Sequence, residues 1–232
     1  MCAQFETVDV SPQRVAEAME AIVQMTGPAW EQRVMPFAPA PVVVGSPKGR
    51  AVESMTFSLI PSWSKDRKPK FATHNARLHS TDEKTGKDVP IYQKPTWREP
   101  FVKRHCLVPI KEFIEPSYRG ELAGNMLRFF QRDTRPLAAA GIWDSWTSKE
   151  TGEVIYSFSI ITIDPAQFIQ DNGHDRMPLF LDENSYDEWL TSENQKPAEL
   201  VSFLEKHQAP VTWDVAVDRP MKAGWEKRIP KG

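Results

Sequence analysis

Proline most limits what this chain can become. It occurs twenty times against eleven glycines in 232 residues, and each proline locks φ and removes a backbone donor. That density excludes a helical bundle and favours stiff extended segments joined by many turns. The apolar runs agree. Val42-Val43-Val44 stops at Gly45, and Met55, Phe57 and Leu59 alternate with Ser54, Thr56 and Ser58. Cys106 to Val108, Met126 to Phe130, Ala138 to Trp143 and Val154 to Ile163 read as further strands. Residues 11–26 read as a helix, with Ser11 as cap, Pro12 in the first turn, and Val15, Ala18, Met19, Ile22 and Val23 on one stripe. Residues 186–204 begin helically again. The pattern predicts one α+β domain with a largely β core.

A chain of this length buries enough surface to hold a core without disulfides or metals. The composition, 40% hydrophobic and 26% charged, is that of a soluble globular protein. No apolar run approaches the ~18 residues of a membrane span, and residues 1–10 lack a basic start and an apolar stretch. Membrane and secreted readings are set aside, and a cytoplasmic setting is expected. The two cysteines, Cys2 and Cys106, form neither a metal cluster nor a disulfide framework, which suits a reducing compartment.

Net charge is −2, which argues against a general nucleic-acid coat protein, but the average hides an asymmetry. Residues 65–104 hold eleven basic side chains against five acidic ones, a local +6 that leaves −8 on the remainder. Trp63, Phe71, Tyr92, Trp97 and Phe101 fall in or beside that segment. Cations that track phosphates, with aromatics that stack on bases, make a single-strand binding groove. A solvated basic loop over core aromatics has the same composition.

Cys2 is the first residue that could carry chemistry. Removal of Met1 would leave an α-amine (reference pKa about 7.7–8.0) and a thiol (about 8.5) on adjacent carbons. The amine can condense with an aldehyde and the thiolate can close on the imine as a thiazolidine. Alternatively, the thiolate acts as an N-terminal nucleophile with the amine as its base. Three clusters follow: His74-Asn75-Ala76-Arg77, Val108 to Glu115, and His174-Asp175-Arg176-Met177-Pro178. Each alone is compatible with a turn amide, a surface carboxylate or a polar loop histidine.

Together, in this order, they resemble the SRAP family, the SOS-response-associated peptidase-like proteins that crosslink to abasic sites in single-stranded DNA. The resemblance rests on Met1-Cys2, Ala38-Pro39, an aromatic strand from Phe57 to Trp63, Asn75 to Arg77, Glu115, and His174 to Pro178. It implies a single domain over residues 1–232, with a mixed, barrel-like β core and peripheral helices. It also implies that Cys2 forms the thiazolidine with the opened sugar, that Asn75, Glu115 and His174 surround it, and that Arg77 holds phosphate. Trp63 and Arg176 are the further expected DNA-binding residues. Departures concentrate on the DNA side: Ala3-Gln4 replace Gly-Arg, Phe57-Ser58 replace Trp-Gly, Pro116 replaces a tryptophan, and Ala216 to Met221 lack a Val-Asn pattern.

The residue types suit that reaction. Glu115 can orient the amine and move its protons, and His174 can protonate the sugar ring oxygen. Asn75 offers a donor and an acceptor without charge, and Arg77 a bidentate phosphate fork. The expected protein is a monomeric covalent sensor of abasic sites in single-stranded DNA, using no metal or cofactor. A thiol peptidase built on the same Cys2, and a non-catalytic single-strand binder, remain the alternatives. Cys106 is expected to be a buried, inert thiol.

Overall fold

In the computed structural model, which describes residues 4–132 and 136–228, five strands close on themselves. The first part of the chain gives β1 (Gln4–Glu6), α1 (Pro12–Ala18), β2 (Ile22–Val23), β3 (Arg33–Val34), β4 (Pro39–Ser46) and β5 (Gly49–Phe57). Then come β6 (Asn75–Arg77), α2 (Arg98–Lys103), β7 (His105–Ile110), β8 (Glu112–Pro116), β9 (Asn125–Gln131), β10 (Leu137–Thr147) and β11 (Val154–Ile163). The chain finishes with α3 (Gln167–Asp171), β12 (Met177–Pro178), α4 (Tyr186–Thr191), α5 (Pro197–Lys206) and β13 (Trp213–Pro220). Prolines punctuate these elements: Pro12 and Pro197 open helices, Pro39 opens a strand, and Pro116, Pro178 and Pro220 close strands.

Antiparallel pairings run β11-β10-β7-β4-β5, and a parallel join of Ser157 and Phe158 to Thr56 and Phe57 closes the ring. The fold is therefore a single domain with a closed, mixed five-strand barrel and a few helices, as the family resemblance implies. Strand β7 is buried at every position, so it reads as a continuous apolar run rather than an alternation. A second, antiparallel sheet, β13-β9-β8-β1-β3, covers one face of the barrel. Its inner side chains Phe5, Phe113, Phe129 and Trp213 pack with Val42, Phe57, Val108, Phe158 and Phe180. The Phe5 ring meets Phe57 edge-on at 5.2 Å. Helices α1, α2, α4 and α5 cover a second apolar cluster through Val15, Phe101, Trp189 and Leu200.

One sequence expectation needs correction. The predicted 11–26 helix stops at Ala18. Glu20 takes a positive φ of 49°, and Ile22-Val23 pair in parallel with Ala51-Val52 of β5. Tertiary pairing of two β-branched residues overrides the helical stripe. Residues 216–221, which carry no recognisable motif, belong largely to β13, paired with β9 through a register shift between Val217 and Arg219.

Candidate functional site

Strand β8 carries Glu115 into the interior. Its alternation sends Phe113 and Glu115 to the side facing the barrel, and Glu115 is 0% exposed. The neighbour on one side is β1, with Gln4 directly opposite Ile114. His174 arrives from the turn after α3. Gly173 makes that turn possible at φ +86°, where an added Cβ would lie 2.5 Å from the Arg119 carbonyl and 2.7 Å from Ser117 Oγ. The imidazole is buried. Its Nδ1 donates to the Pro116 carbonyl at 3.1 Å, and Nε2 lies 3.2 Å from Glu115 Oε2. A carbonyl only accepts, so Nδ1 carries hydrogen, and the second contact is a hydrogen bond only with one proton between Nε2 and Oε2. Burial pushes the imidazole below its ordinary pKa, with the Asp175 carboxylate opposing. The contact joins two buried titratable groups 59 positions apart in sequence.

Asn75 and Arg77 lie on β6, parallel to β11, with Asn75 opposite Ile160 and Arg77 opposite Thr162. Among the described residues, neither amide atom of Asn75 has a hydrogen-bond partner, although both are enclosed. His74 Nε2 is in the same condition, and burial lowers its pKa. The His74 ring meets Phe57 edge-on at 5.9 Å. Enclosed donors and acceptors left unpaired cost about 1–3 kcal/mol each, an expense kept where a ligand satisfies them.

The end of β11 also organises the cations. Thr162 has Arg77 across it on one side and Pro178 of β12 on the other, so Arg77 and Arg176 reach the same end of the barrel. Arg176 is half-buried and donates to Asp164 at 3.1 Å. Burial, then the Arg77 charge, lower its pKa. Lys94 also belongs to this group, its Nζ 3.5 Å from the Arg77 carbonyl. In the sequence Lys94 stands out only as one cation of the basic segment, and His74 as the first residue of the His74 to Arg77 cluster, with no role of its own.

The structure separates the other aromatics of the basic segment. Trp97 and Phe101 are core residues, whereas Trp63 is 59% exposed. Trp63 borders its own cavity of about 360 Å³ with Pro95, Thr96, Arg98 and Asp144, and shares no lining with the Glu115–His174 pair. Cys106 is fully buried and burial raises its thiol pKa, as expected of an inert thiol. Cys2 lies outside the described residues. Gln4, where arginine is usual in the family resembled, accepts from Arg219 Nη2 at 2.8 Å, so β13 brings a guanidinium to that position. Among the described residues no group of three or more His, Cys, Asp or Glu side chains could hold a metal ion, and no helix is long and apolar enough to cross a membrane.

The pattern of the family described as SOS response associated peptidase (SRAP) matches residues 1–219. The chain is 29% identical over 167 residues to the abasic site processing protein YoqW of Bacillus subtilis, covering 72% of this chain and 69% of that protein. It is 30% identical over 170 residues to the abasic site processing protein HMCES of Mus musculus, covering 61% of this chain and 45% of that one. A crystal structure of a Bordetella bronchiseptica protein superposes with a TM-score of 0.72 at 21% identity, covering 94% of this chain and 100% of the other. One from Bacteroides thetaiotaomicron does so with a TM-score of 0.72 at 26% identity, covering 94% and 92%.

Proposed function

This chain belongs to the SOS response associated peptidase family, and on that premise we propose that it processes abasic sites in single-stranded DNA by forming a thiazolidine crosslink through Cys2. The observation that carries the reading is the buried Glu115–His174 contact, with Nε2 of the imidazole 3.2 Å from Oε2 of the carboxyl. Gln4, two residues after Cys2 in sequence, pairs beside the strand that carries Glu115.

With Met1 removed, the steps balance. An acid protonates the ring oxygen of the sugar hemiacetal, the C1′–O4′ bond breaks and the C1′ aldehyde forms. The Cys2 amine adds to that carbon, loses a proton to a base and expels water as the imine. The thiol sulfur then bonds to C1′ while its proton passes to the imine nitrogen, so one water leaves overall. His174 serves as the acid toward the ring oxygen and Glu115 as the acceptor of amine protons. Asn75 offers its enclosed amide to the amine or the opened sugar, Arg77 and Arg176 hold phosphates, and Trp63 supplies a face for an unstacked base.

The test is a denaturing gel of the processed protein with a single-stranded oligonucleotide bearing one abasic site. A denaturant-resistant species is expected, and it is lost in Cys2→Ser and after blocking the amine. His174→Ala should slow its formation by about 10²–10⁴-fold while binding to intact single strands is unchanged. If no such species forms, or Cys2→Ser forms it equally, the covalent reading is overturned.

A further inference from the structure

The basic side chains Arg77, Lys94 and Arg176 gather near the end of β11. Lys94 leaves a 3-10 turn over Ile91–Gln93 and is held by its backbone on both sides. Its N–H donates to the Ile91 carbonyl at 3.2 Å, and its carbonyl accepts from Trp97 and Arg98 at 3.0 and 2.9 Å. The turn is docked on the strand extension by Ile91 N–H to the Leu78 carbonyl at 2.8 Å. The half-buried side chain returns to β6, where Nζ meets the Arg77 carbonyl at 3.5 Å. Arg77 and Arg176 are its cationic neighbours, and Asp88 is the carboxylate that acts on it. Asp88 is already engaged by His79 Nδ1 at 2.7 Å, and His79 also meets Glu205 of α5 at 3.2 Å. Asp164 is taken up by Arg176. Asp175 also acts on Arg176, so the three partly desolvated cations face carboxylates at Asp88, Asp164 and Asp175. Of these only Asp88 acts on Lys94, and an anion at the mouth of the group would compensate that ammonium.

We propose that Lys94 is a third phosphate-binding residue, acting with Arg77 and Arg176 on one stretch of single strand. This rests on the reading that the chain binds single-stranded DNA and adds a residue to it. Burial, then Arg77 and Arg176, bring the ammonium down to about 8, with Asp88 opposing. A phosphate beside it favours the charged form, so binding takes up a proton once the free ammonium has begun to titrate. Affinity is flat below that range and falls as pH rises through it, by up to tenfold per unit. Arginine at the same place stays charged.

The experiment is fluorescence anisotropy of an intact, end-labelled single-stranded oligonucleotide with the full chain, Lys94→Arg and Lys94→Met. It runs from pH 6.5 to 9.5 and from 50 to 200 mM KCl, with a thermal melt of each protein. The parent should weaken above pH 8, and Lys94→Arg should bind with little pH dependence over that range. Lys94→Met should bind more weakly throughout, with a salt slope shallower by about 0.7. The Cys2 amine has a reference pKa in the same range but is untouched in Lys94→Arg, so that variant separates the two. The inference is overturned if Lys94→Arg keeps the parent's pH profile, if folded Lys94→Met keeps the parent's salt slope, or if the parent binds no single strand. Crosslinking to an abasic oligonucleotide, run in parallel, separates the two readings. A crosslink with pH-flat binding removes Lys94 alone, and pH-dependent binding without a crosslink removes the covalent reading alone.

Discussion

Ser58 sits where β5 leaves the barrel, at a φ of +99°, a conformation that L side chains rarely adopt. Its N–H donates to the Phe158 carbonyl at 3.0 Å, and the next residue donates to the Thr73 carbonyl at 3.3 Å, so the barrel closure holds the backbone there. The side chain is buried, and its hydroxyl has no partner among the described residues. The family resemblance expects glycine at this place, and the backbone explains why. Ser58→Gly should stabilise the protein by about 1–2 kcal/mol, which for a chain of this size raises Tm by about 2–8 °C. A differential-scanning melt with an unchanged or lower Tm would show that the strain is absorbed elsewhere. Glu115 shows the same dependence on surroundings. A carboxylate that ends an apolar strand reads as a surface acid until His174 is brought beneath it.

At the scale of elements, the barrel depends on close approach between strands. Gly141 of β10 faces Cys106 of β7 and Ile160 of β11. A Cβ there would lie 2.7 Å from Cys106 Sγ, 3.1 Å from Val108 Cγ2 and 3.2 Å from the Ser159 carbonyl. Gly141→Ala should therefore cost about 1–3 kcal/mol by overpacking. Adding Cys106→Ala removes the nearest atom and should recover part of that loss, a coupling that urea melts of both single variants and the double variant would measure. Additive losses would mean that the Ser159 carbonyl, not the sulfur, sets the limit. The strands of this barrel are legible because each needs only an apolar run and a terminator. The short β2 and the late β13 are not, since both exist by virtue of the partner they pair with.

For the whole molecule, pH acts through buried histidines whose pKa the fold lowers. His105 joins β7 to α2 and α4. Its Nε2 lies 2.8 Å from the Phe101 carbonyl, its Nδ1 lies 2.9 Å from the Trp189 carbonyl and 3.1 Å from Ser192 Oγ, and its ring stacks on Trp189 at 3.9 Å. Burial lowers its pKa more than the neighbouring carbonyls raise it, and burial lowers that of His74 as well. A folded pKa below the unfolded value of about 6.5 means that unfolding takes up protons in acid. Stability is therefore complete above pH 6.5 and lost as pH falls through it, by up to about 1.4 kcal/mol per pH unit for His105 and less for half-buried His74. Urea denaturation at pH 5, 6, 7 and 8 checks this, and an identical midpoint throughout would mean that both imidazoles are charged in the fold. The family resemblance also allowed a barrel-like core to be expected from the sequence, together with the chemistry of Asn75, Glu115 and His174. By itself the sequence determined the strand-rich class, the basic segment and the residue types available for reaction, because these depend on neighbours along the chain. Only the tertiary structure decided that β5 closes on β11, that Glu115 meets His174, and that Lys94 stands beside Arg77 and Arg176. Those depend on register and burial between segments far apart in sequence, which local pattern does not encode.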